Sequence, residues 1–150
     1  LQLSLLEAAH LAGRGVLDVD VGSDAPNAES DDPDAAADGE AAVLARGLEA
    51  EGERFTRRLA VYGALRDRGV VPKSGFKFGA DFRVYDDFAG VDSLGHSTDL
   101  VRVVAPDHTV LPRDLSLDVR LAGGVRKRMV FALTGANGEI DWLAVSRLTP

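Results

Sequence analysis

The chain has 150 residues, 45% of them apolar, enough to bury the core of one ordinary domain or of two small ones sharing a core. It contains no cysteine, which excludes a disulfide framework and any thiolate metal site, and no apolar run is long enough to span a bilayer. A formal net charge of −7 argues at first against a polyanionic ligand, since phosphate binding draws on clustered Lys and Arg.

The first nineteen residues carry Leu3, Leu5, Leu6, Ala9 and Leu11 near helical spacing, with Ser4 and Glu7 placed for a capping box. Gly13 and Gly15 stop this helix, and Val16 to Val19 is predicted as a short strand, so residues 1–21 are expected to form a small α+β unit. The N-terminus lacks a basic n-region and a small-residue cleavage site, so it does not resemble a secretory signal, and the cytosol is the expected compartment. A start at Leu1 instead of Met fits an excerpt of a longer polypeptide.

Residues 22–40 are rich in Asp, Ala, Gly, Pro and Ser and lack aromatic and branched apolar residues, so an acidic disordered linker is expected there. The acids do not follow the EF-hand order of calcium ligands. Charge is correspondingly uneven. Between Asp18 and Glu53 there are twelve acids and one base, Arg46, whereas elsewhere sixteen bases outnumber twelve acids. Outside its acidic stretch the protein is mildly basic, which reopens a polyanionic partner.

From Ala41 to Asp67 one helix is predicted, with Val43, Leu44, Leu48, Phe55, Leu59, Tyr62 and Leu65 on its apolar stripe and Gly69 as its stop. Short strands follow in VVPKSGFKFGADFRVYDDF and LVRVVAP, then a short helix over DLSLDVRLA ended by Gly123 and Gly124. The strands VRKRMVFAL and EIDWLAVSRL flank Asn137-Gly138, a strong hairpin signal. The predicted class is α/β in the broad, α+β sense: a small N-terminal α+β domain, then a mixed-sheet α/β domain over 41–150 with a leading helix.

Three histidines are present. His10 falls among Ala9 and Leu11 and reads as structural; His108 falls in a Pro-Asp-His-Thr turn and reads as solvated. His96, in Gly95-His96-Ser97-Thr98-Asp99, opens an ordered segment where a side chain can face a cleft. Tyr85 closes the strand Phe82-Arg83-Val84-Tyr85. Lys127 is an anomaly: on a two-residue period it shares a face with Val125, Met129, Phe131 and Leu133. Tyr, His and Lys lack the carboxylates that hold magnesium in metal-dependent nucleases, and Val125 stands two residues before Lys127, where restriction-type nucleases have an acid. The same three residue types can cleave RNA by internal attack of a 2′-hydroxyl, with one group taking the hydroxyl proton, one protonating the leaving 5′-oxygen and a cation stabilising the phosphorane. They also fit a plain binding module in which Lys127 snorkels from a strand end and Tyr85 and His96 pack.

Lys73-Ser74-Gly75-Phe76-Lys77-Phe78-Gly79-Ala80-Asp81-Phe82-Arg83-Val84-Tyr85, Gly95-His96-Ser97, and Val119-Arg120 with Val125-Arg126-Lys127-Arg128-Met129-Val130-Phe131-Ala132 resemble the catalytic domain of archaeal tRNA-intron (splicing) endonucleases. The opening residues are similar to that family's small N-terminal domain, and the likeness covers nearly the whole chain apart from the acidic insert. A bias to Asp and Arg, with only three Lys among seventeen cations, resembles proteins of salt-loving archaea. The resemblance implies a nuclease fold, with Tyr85 as general base, His96 as general acid and Lys127 as electrostatic stabiliser, no cofactor or metal, and products ending in 2′,3′-cyclic phosphate and 5′-hydroxyl. A phenol is a poor base at neutral pH, and a nearby ammonium favours the phenolate. Arg120 and Arg147 match the pair of arginines that clamps a flipped bulge base in the family, a contact that suits guanidinium stacking. The implied substrate is precursor tRNA carrying a bulge-helix-bulge motif, and the implied protein partner is another copy or a fused repeat of the same fold. In the family an acidic loop of one unit docks on a basic surface of another; the matching segment, Gly135 to Asp141, has only Glu139 and Asp141 as acids. A noncatalytic assembly subunit would keep this fold and lose the triad, whereas all three positions are filled here.

Overall fold

The computed structural model describes residues 2–20, 33–86 and 96–148. The chain divides into two compact units, Leu1–Leu59 and Ala60–Pro150.

In the first unit, helix α1 (Leu5–Ala12) begins with the expected capping box: the Ser4 hydroxyl accepts from the Glu7 N–H at 3.3 Å while the Ser4 N–H donates to the Glu7 carboxylate at 2.9 Å. Leu6 and Ala9 are buried and α1 packs against α2 (Pro33–Glu51). Three expectations need correction here. Residues 16–19 form no strand; Val16 is 70% exposed, and the described part of this unit offers no strand to pair with. Residues 33–40, expected within the linker, are the first turns of α2, where Pro33 supplies a preset helical φ at the first position and three alanines follow. Residues 22–32 of that segment lie outside the described residues. Finally, the helix predicted over 41–67 is two helices, α2 and α3 (Glu53–Asp67), because Gly52 adopts a left-handed φ of 60°. The Gly52 N–H still closes on the Leu48 carbonyl at 2.8 Å, and its own carbonyl accepts from Phe55 at 3.0 Å. The turn folds Phe55 onto Gly47, where a Cβ would overlap the ring, and leaves Phe55 1% exposed.

The second unit is a five-stranded mixed sheet in sequential order: β1 (Val71–Ser74), β2 (Phe82–Tyr85), β3 (Asp99–Val104), β4 (Arg128–Thr134) and β5 (Ile140–Val145). All neighbours are antiparallel except β3 and β4, which run parallel and are joined by helix α4 (Pro112–Gly124) as a crossover. Leu100, Val104, Met129 and Phe131 alternate onto the face that packs against α4 through Ala122 and Leu115. On the other face Phe82 meets Tyr62, with ring centroids 6.0 Å apart, and Arg68 lies 4.3 Å over the Trp142 ring. The Asn137-Gly138 hairpin forms as expected, with Gly138 at φ 83°. The mixed α/β architecture with leading helices therefore follows the sequence reading.

The strand read from Val125 starts only at Arg128. The Lys127 N–H closes on the Ala122 carbonyl at 2.9 Å and the Arg126 N–H on Gly123 at 3.1 Å, while Arg126 takes a left-handed φ of 56°. This is a Schellman cap with arginine in the position usually held by glycine. Lys127 therefore belongs to the end of α4, and strand alternation does not govern where it points.

Candidate active site

The polar end of the sheet is assembled by register. β2 and β3 pair Val84 with Asp99, and β3 and β4 pair Asp99 with Arg128. One residue further on, Tyr85, Thr98 and Lys127 stand at matching positions on three neighbouring segments. The backbone carries this pairing past the strand ends: the Thr98 N–H donates to Val84 at 2.9 Å and the Arg128 N–H donates to Thr98 at 3.0 Å. With strands about 4.8 Å apart, Tyr85 and Lys127 are separated by roughly 10 Å of backbone, a gap their side chains can bridge.

Tyr85 is half-buried at the end of β2. His96 is exposed, two residues before Thr98, and the preceding segment 87–95, which includes Gly95 of the motif, lies outside the described residues. Lys127 is half-buried, and its Nζ donates to the Ser97 carbonyl at 2.5 Å. The lysine thus ties the end of α4 to the residue that follows His96. Of its three donors, two remain for a ligand.

Two carboxylates near this end are already engaged. Asp99, buried, receives the Arg128 guanidinium through both oxygens at 2.8 and 2.7 Å. That hydrogen bond and the charge of Asp99 hold the Arg128 pKa above its ordinary value; burial opposes them and the charge of Asp86 adds to them. Asp86 accepts from the Thr98 hydroxyl at 2.7 Å. Sequence reading did not single out this fork; an acid opening a strand beside an arginine opening its neighbour becomes a signal only once the parallel register is known. Among the described residues no cluster of three or more His, Asp or Glu side chains could hold a metal ion.

Arg120 and Arg147 line one open groove of about 830 Å³ between α4 and the end of β5, together with Val119, Gly124 and Val145. The structure thus brings these two predicted residues to a common surface, next to the helix end that carries Lys127. His108 is exposed and lines a second, more apolar groove of about 580 Å³ at the opposite end of β3 and β4, with Phe131, Leu133 and Leu143. Glu139 and Asp141 are exposed at the β4–β5 hairpin. No helix among the described residues is long and apolar enough to cross a membrane.

One end of the mixed sheet thus carries Tyr85, the segment that begins at His96, and Lys127 on neighbouring segments, and comparison with known proteins gives the class of the domain. The profile of the catalytic C-terminal domain of tRNA intron endonuclease matches residues 55–142, and the chain belongs to that family. The tRNA-splicing endonuclease of Haloferax volcanii is 65% identical over 150 residues, covering all of this chain and 39% of that protein. Its counterpart from Natronomonas pharaonis is 62% identical over 150 residues, covering all of this chain and 40% of that protein. The one from Methanococcoides burtonii is 39% identical over 148 residues, covering 99% of this chain and 38% of that protein. The chain therefore spans about two fifths of the length of these relatives. The matched segment contains Tyr85, His96, Arg120 and Lys127; Arg147 falls beyond it.

Proposed function

We propose that this chain carries the active site of an endoribonuclease that cuts precursor tRNA at intron boundaries without a metal ion, at bulge-helix-bulge motifs. The reading rests above all on the convergence of Tyr85, the His96-Ser97-Thr98 segment and Lys127 on three adjacent segments, cross-tied by the lysine. Tyr85 removes the proton of the 2′-hydroxyl, whose oxygen attacks the adjacent phosphorus. The bond from phosphorus to the 5′-oxygen breaks, and His96 delivers a proton to that oxygen. Lys127 balances the charge of the phosphorane with the donors that Ser97 leaves free. The products are a 2′,3′-cyclic phosphate and a 5′-hydroxyl.

Arg120 and Arg147, facing a common groove, are suited to sandwich an extruded bulge base between guanidinium planes. A second unit of the same fold, in another copy or fused in the same polypeptide, is the expected protein partner, with Glu139 and Asp141 as its acidic contact, and the cytosol is the expected compartment. The names of the relatives, tRNA-splicing endonucleases, support the choice of substrate. The test is cleavage of a bulge-helix-bulge RNA in EDTA at high salt, followed by analysis of the new ends. Cyclic phosphate and 5′-hydroxyl ends are expected; loss of cleavage on chelation, or 3′-hydroxyl ends, would overturn the mechanism.

A further inference from the structure

We propose that Arg83 is a phosphate-binding residue of this site, holding an RNA phosphodiester beside Tyr85; the inference rests on the functional reading above. Arg83 and Tyr85 are two residues apart on β2 and alternate to the same face of the sheet. The Arg83 Cζ lies 5.7 Å from the centroid of the Tyr85 ring, within reach of a cation–π contact. Its Nε is buried and has no hydrogen-bond partner.

Two other arginines have a buried, unpartnered Nε, and the contrast with them is informative. Arg58 directs its Nη1 at both oxygens of Glu51, each at 2.7 Å. Arg102 directs its Nη2 at the Gly79 carbonyl at 2.6 Å and at Asp118 at 2.8 Å. Arg83 alone of the three has no carboxylate partner among the described residues. A half-buried guanidinium without a counter-anion is costly to hold. Of the carboxylates at this end of the sheet, Asp99 is paired with Arg128 and Asp86 accepts from the Thr98 hydroxyl, and neither forms an ion pair with Arg83. The wall of the site is therefore left with two cations, Arg83 and Lys127, that no carboxylate neutralises among the described residues. The terminal N–H donors of the guanidinium form a fork that matches two phosphate oxygens. The competing role for Arg83 is a packing arm that only steadies the Tyr85 ring.

The experiment compares the intact wild-type protein with Arg83→Gln and Arg83→Lys, on a bulge-helix-bulge RNA blocked against cleavage by a 2′-deoxy sugar at the cut site. Arg83→Gln should weaken binding about 10- to 100-fold. It should also flatten the dependence of log affinity on log salt by about 0.7–0.9, the loss of one phosphate contact. Single methylphosphonate linkages scanned across the cut site should weaken wild-type binding at one linkage and leave Arg83→Gln indifferent there; Arg83→Lys should keep the salt slope and recover part of the affinity. A wild-type salt slope and an unchanged methylphosphonate scan in Arg83→Gln would reduce Arg83 to a packing arm and overturn the proposal. Should Arg83→Gln fail to fold, Arg83→Lys decides: its methylphosphonate penalty must shrink at the same linkage, and an unchanged penalty overturns the proposal. A wild type that binds this RNA but leaves the unblocked RNA intact overturns the functional reading alone, since the binding comparison still decides Arg83.

Discussion

The parallel strands β3 and β4 end in opposite chemistries. At their N-terminal ends, Asp99 and Arg128 form a two-pronged ion pair, the Thr98 hydroxyl meets Asp86, and Lys127 reaches the Ser97 carbonyl. At their C-terminal ends the buried Thr134 hydroxyl donates to the Val104 carbonyl at 2.8 Å, and around it the lining is apolar, with Phe131, Leu133 and Leu143. One pairing register serves both ends. The difference teaches that one register can set charged and hydrogen-bonded side chains at one end of a strand pair while closing an apolar core at the other.

The largest expected effect is at the polar end. His96→Ala should slow the chemical step by about 10²- to 10⁴-fold, the usual range for a general acid, with RNA affinity nearly unchanged. Single-turnover cleavage beside equilibrium binding checks this, and a variant that cleaves at the wild-type rate would remove His96 from the site.

A smaller effect is expected midway along the pair, where Arg102 on β3 meets Asp118 on α4. Burial pushes the Asp118 carboxyl above its ordinary value, Arg102 opposes the shift and Asp114 adds to it. An Asn side chain mimics the protonated carboxyl and can still accept from Arg102. Replacing Asp118 by Asn should therefore raise stability slightly at neutral pH, because the folded chain no longer buries a carboxylate whose desolvation outweighs its attraction to Arg102. The folded state holds the Asp118 proton more tightly than the unfolded state, so between the ordinary carboxylate value of 3.8 and the raised folded value stability falls as pH rises. Wild type should consequently gain stability relative to Asp118→Asn as pH drops through that window, as read from denaturant midpoints. A difference that is flat or of opposite sign would show that Arg102, not burial, dominates.

At the apolar end no effect on cleavage is expected. Thr134→Val should cost about 1 kcal/mol by leaving the Val104 carbonyl without its donor, with cleavage rate unchanged. If this change altered cleavage as strongly as His96→Ala, the functional distinction between the two ends would collapse.

Much of this arrangement was legible in the sequence. The Asn137-Gly138 hairpin, the α1 capping box and the order of helices and strands from α3 onward follow from local chemistry that needs no tertiary partner. What stayed hidden depends on tertiary placement. The apolar stripe runs through Gly52, and only the folding of Phe55 onto Gly47 reveals that the helix breaks there. Lys127 looked misplaced because a strand was extended backward through a helix cap that arginine, an unusual residue for the position, disguises. Arg83 carried no signal of its own. Its interest comes from the lack of a carboxylate partner among the described residues, which only the contacts around it disclose.

The cap at Arg126 has a mechanical consequence. Because the Lys127 N–H closes on Ala122, the lysine is tied to the last turn of α4, the same helix that carries Arg120. A ligand gripping both side chains would load a single lever at two points, so that a base seated against Arg120 and a phosphate seated against Lys127 could not shift independently.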